Sequence, residues 1–404
     1  MYYLSVRLCE TMTDTDSGSG ASDRRTFLKA GGTSVVGLAG LSGCLTGGGD
    51  TTEGGSSGGE SGGGDGGDES ESGDGARDFG GAELNVMVNV GAIDTIHKQH
   101  LIPRVEEKYN LTINTTTAVT TEQLTQIEAN PENPPDVIVP DVIGIERASR
   151  EGWLEPLTDH TDLVPQVENI YDKFVHYDGV AASWEVGEVL PVINSNAWDS
   201  TPTSHAELMK NADSTAVVPF SWSAGPYLLL MASAIATGES FDSRLDVDAG
   251  FEWLEENFAP NVSSEYGGVA SAKQQLASGN VDTLNLFWDY MVFDMFENDQ
   301  PINSLFRLDP TGIAFAESVA VTQNANNMEA ALVYANECLS PTFQETASAE
   351  MGCGVTNQNA AVDDTALEFG ATTADEFDQL TFPDFQYIWE NRDSWSERYN
   401  SLFQ

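Results

Sequence analysis

Basic side chains are scarce in this chain. Its 404 residues carry 17 Lys and Arg against 64 Asp and Glu, a formal net charge of -47. A surface so negative repels phosphates, which argues against nucleic acid or an anionic lipid surface as a partner. Histidine is nearly as thin, at five residues. None stands in a His-Glu-x-x-His or other motif that would hold a metal or activate a nucleophile. No Gly-x-Ser-x-Gly elbow or Gly-rich phosphate loop stands between a strand and a helix. These absences argue against a surface hydrolase or any other enzyme, and neither a metal nor a cofactor is expected. Cysteine numbers four, with no Cys-x-x-Cys pair. A long apolar run is missing too: the most apolar stretch near the N-terminus is about 14 residues and Gly-rich, short of the ~20 that span a bilayer.

That stretch belongs to a recognisable address. From Asp23 the chain reads Arg24-Arg25-Thr26-Phe27-Leu28-Lys29, a run of small and weakly apolar residues, and Leu41-Ser42-Gly43-Cys44. A charged n-region, an apolar h-region and a small-residue cleavage site follow the plan of an export signal. The paired arginines match the twin-arginine route. Leu-Ser-Gly-Cys resembles a lipobox, in which Cys44 becomes the lipidated first residue. The expected location is the extracellular face of the cell membrane, with the membrane as partner through a lipid anchor. Met1 and Met12 are both open as starts, since Met12 heads a conventional n-region.

Residues 44–81, almost all Gly, Ser, Thr, Asp and Glu, bury no core and read as a flexible spacer. The acids are spread through every later segment as well. That pattern resembles the acidic proteins of salt-loving archaea, in which salt screens the repulsion. Cys9 lies upstream of the signal. Cys338 and Cys353 remain for a disulfide in an oxidising location. Asn110, Asn114 and Asn261 head glycosylation triplets.

The fold begins abruptly at residue 82. Apolar stretches at Leu84–Val88, Leu111–Thr115 and Asp136–Val139 read as strands, with helical spacing over Ile93–Lys108, Glu122–Ala129 and Ile145–Glu151. A second series holds strands at Gly179–Ser183, Val189–Ile193, Ala216–Val218, Thr283–Phe287 and Ile313–Val321. Its helices are expected at Pro226–Ala236, Ala249–Phe258, Ala270–Ser278, Met328–Leu339, Pro341–Met351 and Tyr387–Leu402. Alternating strands and helices predict an α/β chain of βαβ units in two lobes around a cleft. One lobe is expected over about 82–190 and 313–360, the other over about 191–312 and 361–404.

Several segments carry a resemblance. Pro135-Asp136-Val137-Ile138-Val139-Pro140 and the later Glu151-Gly152-Trp153-Leu154-Glu155-Pro156-Leu157 are similar to a strand and an "EGLLEPL"-like turn. Pro202-Thr203-Ser204-His205-Ala206-Glu207-Leu208 looks like "P-x-SWADL", and Leu276-Ala277-Ser278-Gly279-Asn280-Val281 like "LASGEV". Asn391-Arg392-Asp393-Ser394-Trp395 with Glu397-Arg398-Tyr399-Asn400 looks like a closing "NRDxWxERWN". Together, and in this order, they resemble the solute-binding proteins of ABC importers, the spermidine/putrescine-binding type in particular. The resemblance implies a periplasmic-binding-protein-like fold: two α/β lobes with a ligand cleft and crossing hinge strands near Glu185–Ile193 and Gly312–Val321. It implies a monomer that hands a small-molecule solute to ABC permease subunits. A polyamine-like organic cation leads, with iron, thiamine or an anion as alternatives and a non-transport sensor as another use of the fold.

Carried over position by position, the resemblance places Trp184, Trp288, Phe315 and Glu317 at the ligand. Glu185 and Asp289 stand beside them as carboxylates, and Asp141 stands where relatives place a third-strand aromatic. Ser221, Trp222 and Ser223 precede a helix that opens with Pro226, where an acidic pair is expected. A Ser-Gly loop there offers N–H groups and hydroxyls suited to an anion or a polar neutral group.

Overall fold

The computed structural model describes residues 77–403. The twin arginine, Cys9, Cys44 and the spacer up to residue 76 lie outside the described residues. Two seven-stranded sheets carry the fold. The first uses β1 (Ala82–Val88), β2 (Leu111–Thr117), β3 (Val137–Val139), β4 (Leu154–Glu155), β5 (Val175–His176), β6 (Ala181–Ser183) and, from far along the chain, β13 (Ser318–Thr322). The second uses β7 (Gly187–Asn194), β8 (Thr215–Val217), β9 (Val262–Glu265), β10 (Thr283–Trp288), β11 (Ile302–Ser304), β12 (Gly312–Phe315) and β14 (Leu380–Thr381).

In the first sheet the order is β2-β1-β3-β13-β6-β5, with β4 on β13. The pairs β1–β2 and β1–β3 are parallel, and β13 runs antiparallel to both β3 and β6. Helices cover both faces, so both side-chain registers are apolar. Val86, Val137 and Val319 enter one cluster, and Met87, Ile138 and Ala320 enter the other with Leu124, Ile127 and Ile145. The second sheet, ordered β14-β12-β7-β10-β8-β9, is built on β7, which pairs antiparallel with β10, β11 and β12.

Sequence and structure differ instructively over Ile93–Lys108. The expected single helix is three pieces: Ala92–Ile96, a π turn at His97–Leu101, and Ile102–Tyr109. Pro103 removes a backbone donor, and the widened turn absorbs the loss. The expected strand Ile313–Val321 is also two strands, β12 and β13, one in each sheet.

That break, at Ala316-Glu317, is a lobe crossing. A second crossing, Trp184-Glu185-Val186, joins β6 to β7 beside it. The Trp184 N–H donates to the Glu317 carbonyl at 3.1 Å, and the Glu317 N–H donates to the Glu185 carboxylate at 2.7 Å. Gly354 makes a third strand of this belt by exchanging both backbone bonds with Val186. The lobe limits expected at 190 and 313 therefore move to 184–186 and 316–317, because β7 and β12 lie wholly in the second sheet. The C-terminal helix Phe385–Phe403 touches both lobes: Trp389 Nε1 donates to the Ile143 carbonyl, and the Tyr399 hydroxyl donates to that of Val218, each at 2.9 Å.

The Cys338–Cys353 bridge is corrected. Both are buried free thiols, and burial pushes both well above the ordinary thiol range. The 11-residue helix Pro341–Met351 separates them. Dithiothreitol should leave the melting temperature unchanged, and a clear drop would restore the bridge. Of the glycosylation candidates, Asn114 is exposed on β2, whereas Asn261 is half-buried with its amide on the Met209 carbonyl.

Candidate functional site

A cavity of about 320 Å³ opens between the lobes at the carboxyl ends of the strands, where open α/β sheets place their ligands. From the first lobe come Asn89 and Val90 after β1, Val119, Thr120 and Thr121 after β2, Asp141 after β3, and Glu317 from the crossing. From the second come Ser221, Trp222 and Ser223 after β8, and Trp288, Tyr290 and Met291 at the end of β10. Val269, the first residue of helix Val269–Ala277, completes the wall.

Acid collects at one place. Asp141 and Glu317 face each other as an antiparallel bridge, 5% and 0% exposed. One Glu317 oxygen, Oε1, accepts from Asn89 Nδ2 at 2.6 Å, and Oε2 has no partner. Thr120 donates its hydroxyl to Asp141 and accepts the Asp141 N–H at 3.2 Å. Burial holds Glu317 well above the ordinary carboxylate range, and the neighbouring Asp141 and Glu185 push it further. Burial raises Asp141 too, against the Ser223 and Thr120 hydroxyls, which lower it. No Lys or Arg lines the cavity. Two buried acids therefore share this part of the wall with no basic side chain beside them in the lining.

Aromatic rings share the wall with these acids. The Trp222 and Trp288 rings lie 5.7 Å apart and tilted, and Tyr290 stacks on Phe315 at 5.7 Å. Ring faces of this kind attract a cation where water is excluded. Arg392 of the C-terminal helix fixes the loop that carries Trp222. Its Nη2 donates to the carbonyls of Phe220, Ser221 and Trp222 at 3.0, 2.8 and 3.0 Å.

Six of the ten residues expected at the ligand meet here: Asp141, Ser221, Trp222, Ser223, Trp288 and Glu317. Four do not. Trp184 is fully buried in the first lobe against His97 and Phe343, each ring 5.3 Å away. Glu185 lies beneath the cavity, where it holds the Glu317 N–H. Asp289 points the other way, receiving the Glu188 and Tyr290 N–H groups at 2.9 and 2.7 Å, and burial raises it to about 7. Phe315 backs the aromatic wall. Asn89, Thr120, Thr121, Tyr290 and the apolar liners Val90, Val119, Val269 and Met291 were missed. Each follows a strand end or opens a helix, which was the available signal. Tyr290 was also readable from alternation, since Trp288 and Asp289 must face opposite sides.

Two lobes, paired crossings and a ligand cavity at the hinge define a binding protein that closes around a solute. The sequence comparison agrees: residues 101–371 match the family described as bacterial extracellular solute-binding protein, and the chain belongs to that family. It is thus an extracellular solute-binding protein, of a class that binds solutes and is not enzymatic. No curated protein matches the sequence. Solved structures share the fold at low identity. An ABC transporter structure from Clostridium perfringens is 17% identical with a TM-score of 0.65, covering 80% of this chain and 100% of that one. MotA from A. tumefaciens B6, in complex with glucopine, is 17% identical at 0.64, covering 80% and 100%. A protein described as a spermidine/putrescine ABC transporter from Listeria monocytogenes is 17% identical at 0.63, covering 80% and 97%. Among the described residues no helix is long and apolar enough to cross a membrane, and no cluster of His, Cys, Asp and Glu could hold a metal.

Proposed function

We propose that this chain captures a small solute bearing a cationic nitrogen, of the polyamine-like kind, and presents it to the permease of an importer. The observation that carries this reading is the pair of buried acids, Asp141 and Glu317, in a cavity wall that also holds Trp222 and Trp288 and no Lys or Arg. A cationic nitrogen supplies the missing partner and lies against ring faces. A protein with a spermidine/putrescine description among the structural neighbours supports the ligand class. Export by the twin-arginine route, lipidation at Cys44, a monomeric state and a salt-loving source complete the reading. Together they describe capture outside the cell on a membrane tether.

Melting curves and tryptophan fluorescence in concentrated salt test it, because Trp222 and Trp288 line the cavity. Millimolar organic cations should raise the melting temperature, following RT ln(1 + [L]/Kd). A sugar or inorganic anion that stabilises where every amine fails would overturn the reading. Affinity should also rise with pH. Glu317 and Asp141 hold their protons above the ordinary carboxylate range, and an ammonium needs them ionised. Binding therefore expels up to two protons, and log affinity should climb by up to about one unit per pH unit for each, levelling once both groups are ionised. Calorimetry in buffers of different ionisation enthalpy measures the proton released, and zero release would contradict this coupling.

A further inference from the structure

The acidic seat accounts for one end of a solute, and the remaining wall has a different character. Helices Thr120–Ala129 and Val269–Ala277 begin at the cavity, and neither has a side-chain cap. Elsewhere, Ser204, Asp246, Ser340 and Asp363 cap their helices through side-chain oxygens, while Met328–Cys338 opens without one. The opening N–H groups of a helix have no intrahelical acceptor and carry the positive end of its dipole.

Arg392 orients the second-lobe amides. It gathers the carbonyls of Phe220, Ser221 and Trp222 on one side of the loop. In a trans peptide the N–H points opposite to the carbonyl it follows. The Ser221 and Ser223 amides therefore turn away from Arg392, and both residues line the cavity. The Trp222 amide is already taken by the Pro219 carbonyl at 3.1 Å. Asp141 and Glu317 are the sole acids in the wall, so no second carboxylate seat waits for a second ammonium. A cavity of about 320 Å³ also sits at the small end of the range for ligand sites.

We propose, resting on the cation reading above and narrowing it from a polyamine to a solute with a single ammonium, that the solute is a small zwitterion. Its cationic nitrogen meets Glu317 and Asp141, and its anionic oxygens meet the Ser221 and Ser223 amides and the opening turn of helix Thr120–Ala129. Ser223 and Asp141 line the same small cavity, so the two poles lie close together, which fits a short chain between the charges.

Three probe series of three to five carbons test this on the full-length chain: n-alkylamines, α,ω-diamines and ω-amino acids. Members of equal length differ only in the group opposite the ammonium: methyl, a second ammonium or a carboxylate. The amino acids should bind about tenfold or more tighter than the matching alkylamine, the worth of a charge-assisted bond to backbone amides. Diamines binding as tightly as the amino acids, or alkylamines matching them, would overturn the zwitterion and leave the cation reading standing. Failure of all three series, with fluorescence and melting temperature unmoved, would overturn both.

Discussion

Glu317→Gln should weaken binding of the solute by about 30-fold or more while leaving the unliganded protein at least as stable. The substitution is nearly isosteric, and the glutamine oxygen can still accept from Asn89 Nδ2, the partner that Oε1 has now at 2.6 Å. What changes is Oε2, the unpartnered atom. An uncharged amide group replaces it, and the negative charge that would pair with the ammonium is gone. Removing one partner of a buried charge pair costs ~2–5 kcal/mol, or about 30-fold to several thousandfold in affinity. Without ligand the sign reverses. Burial raises Glu317 well above its ordinary value, so the folded protein holds the proton that the unfolded chain releases. Such a group lowers stability as pH rises above the unfolded carboxylate value. Glutamine removes that loss, so the melting temperature of the variant should match or exceed the wild type at neutral pH. Retained affinity within about threefold would move the cation away from Glu317.

Much of the scaffold was legible because its signals are local. Ser340-Pro341 and Gly352 bracket the helix Pro341–Met351, as a side-chain cap, an N1 proline and a left-handed C-cap. Strands β1, β2 and β10 stood out as short apolar runs between breakers. The lobe boundary was less legible. Nothing local in Gly312–Val321 reveals that Ala316-Glu317 leaves one sheet for the other, because pairing with Gly187–Val189 and Ala181–Ser183 decides it.

The site divided along the same line. Serines before a helix, and a tryptophan at a strand end, betray themselves by position. Asp141 and Glu317 meet only because β3 and β13 are neighbours in the sheet. Thr120 and Asn89 became site residues through that meeting, and no spacing in their own segments announces it. The aromatic and acidic positions that failed, Trp184 and Asp289, each adjoin a residue facing the opposite way. On an extended backbone one of two neighbours faces the cleft and the other faces the core.

Trp184 provides the sharpest test of that distinction. Trp184→Ala should lower the unfolding free energy by about 3–5 kcal/mol, the cost of emptying a large buried site. Solute affinity of the folded fraction should stay within about threefold. The ring is fully buried and meets His97 and Phe343, while no part of it lines the cavity. Its backbone N–H, which holds the Glu317 carbonyl at 3.1 Å, survives the substitution. Trp184→Phe separates packing from polarity. The indole Nε1 is buried without an acceptor, and a buried unsatisfied donor costs ~1–3 kcal/mol. Phenylalanine keeps most of the ring contacts and deletes that donor, so its lost volume is offset and stability should change by less than about 1.5 kcal/mol. Denaturant melts of both variants, with titration of the folded protein, measure the two effects separately. If Trp184→Ala lost binding at unchanged stability, Trp184 would belong at the ligand after all, and closure would have to carry it across the belt of crossing strands.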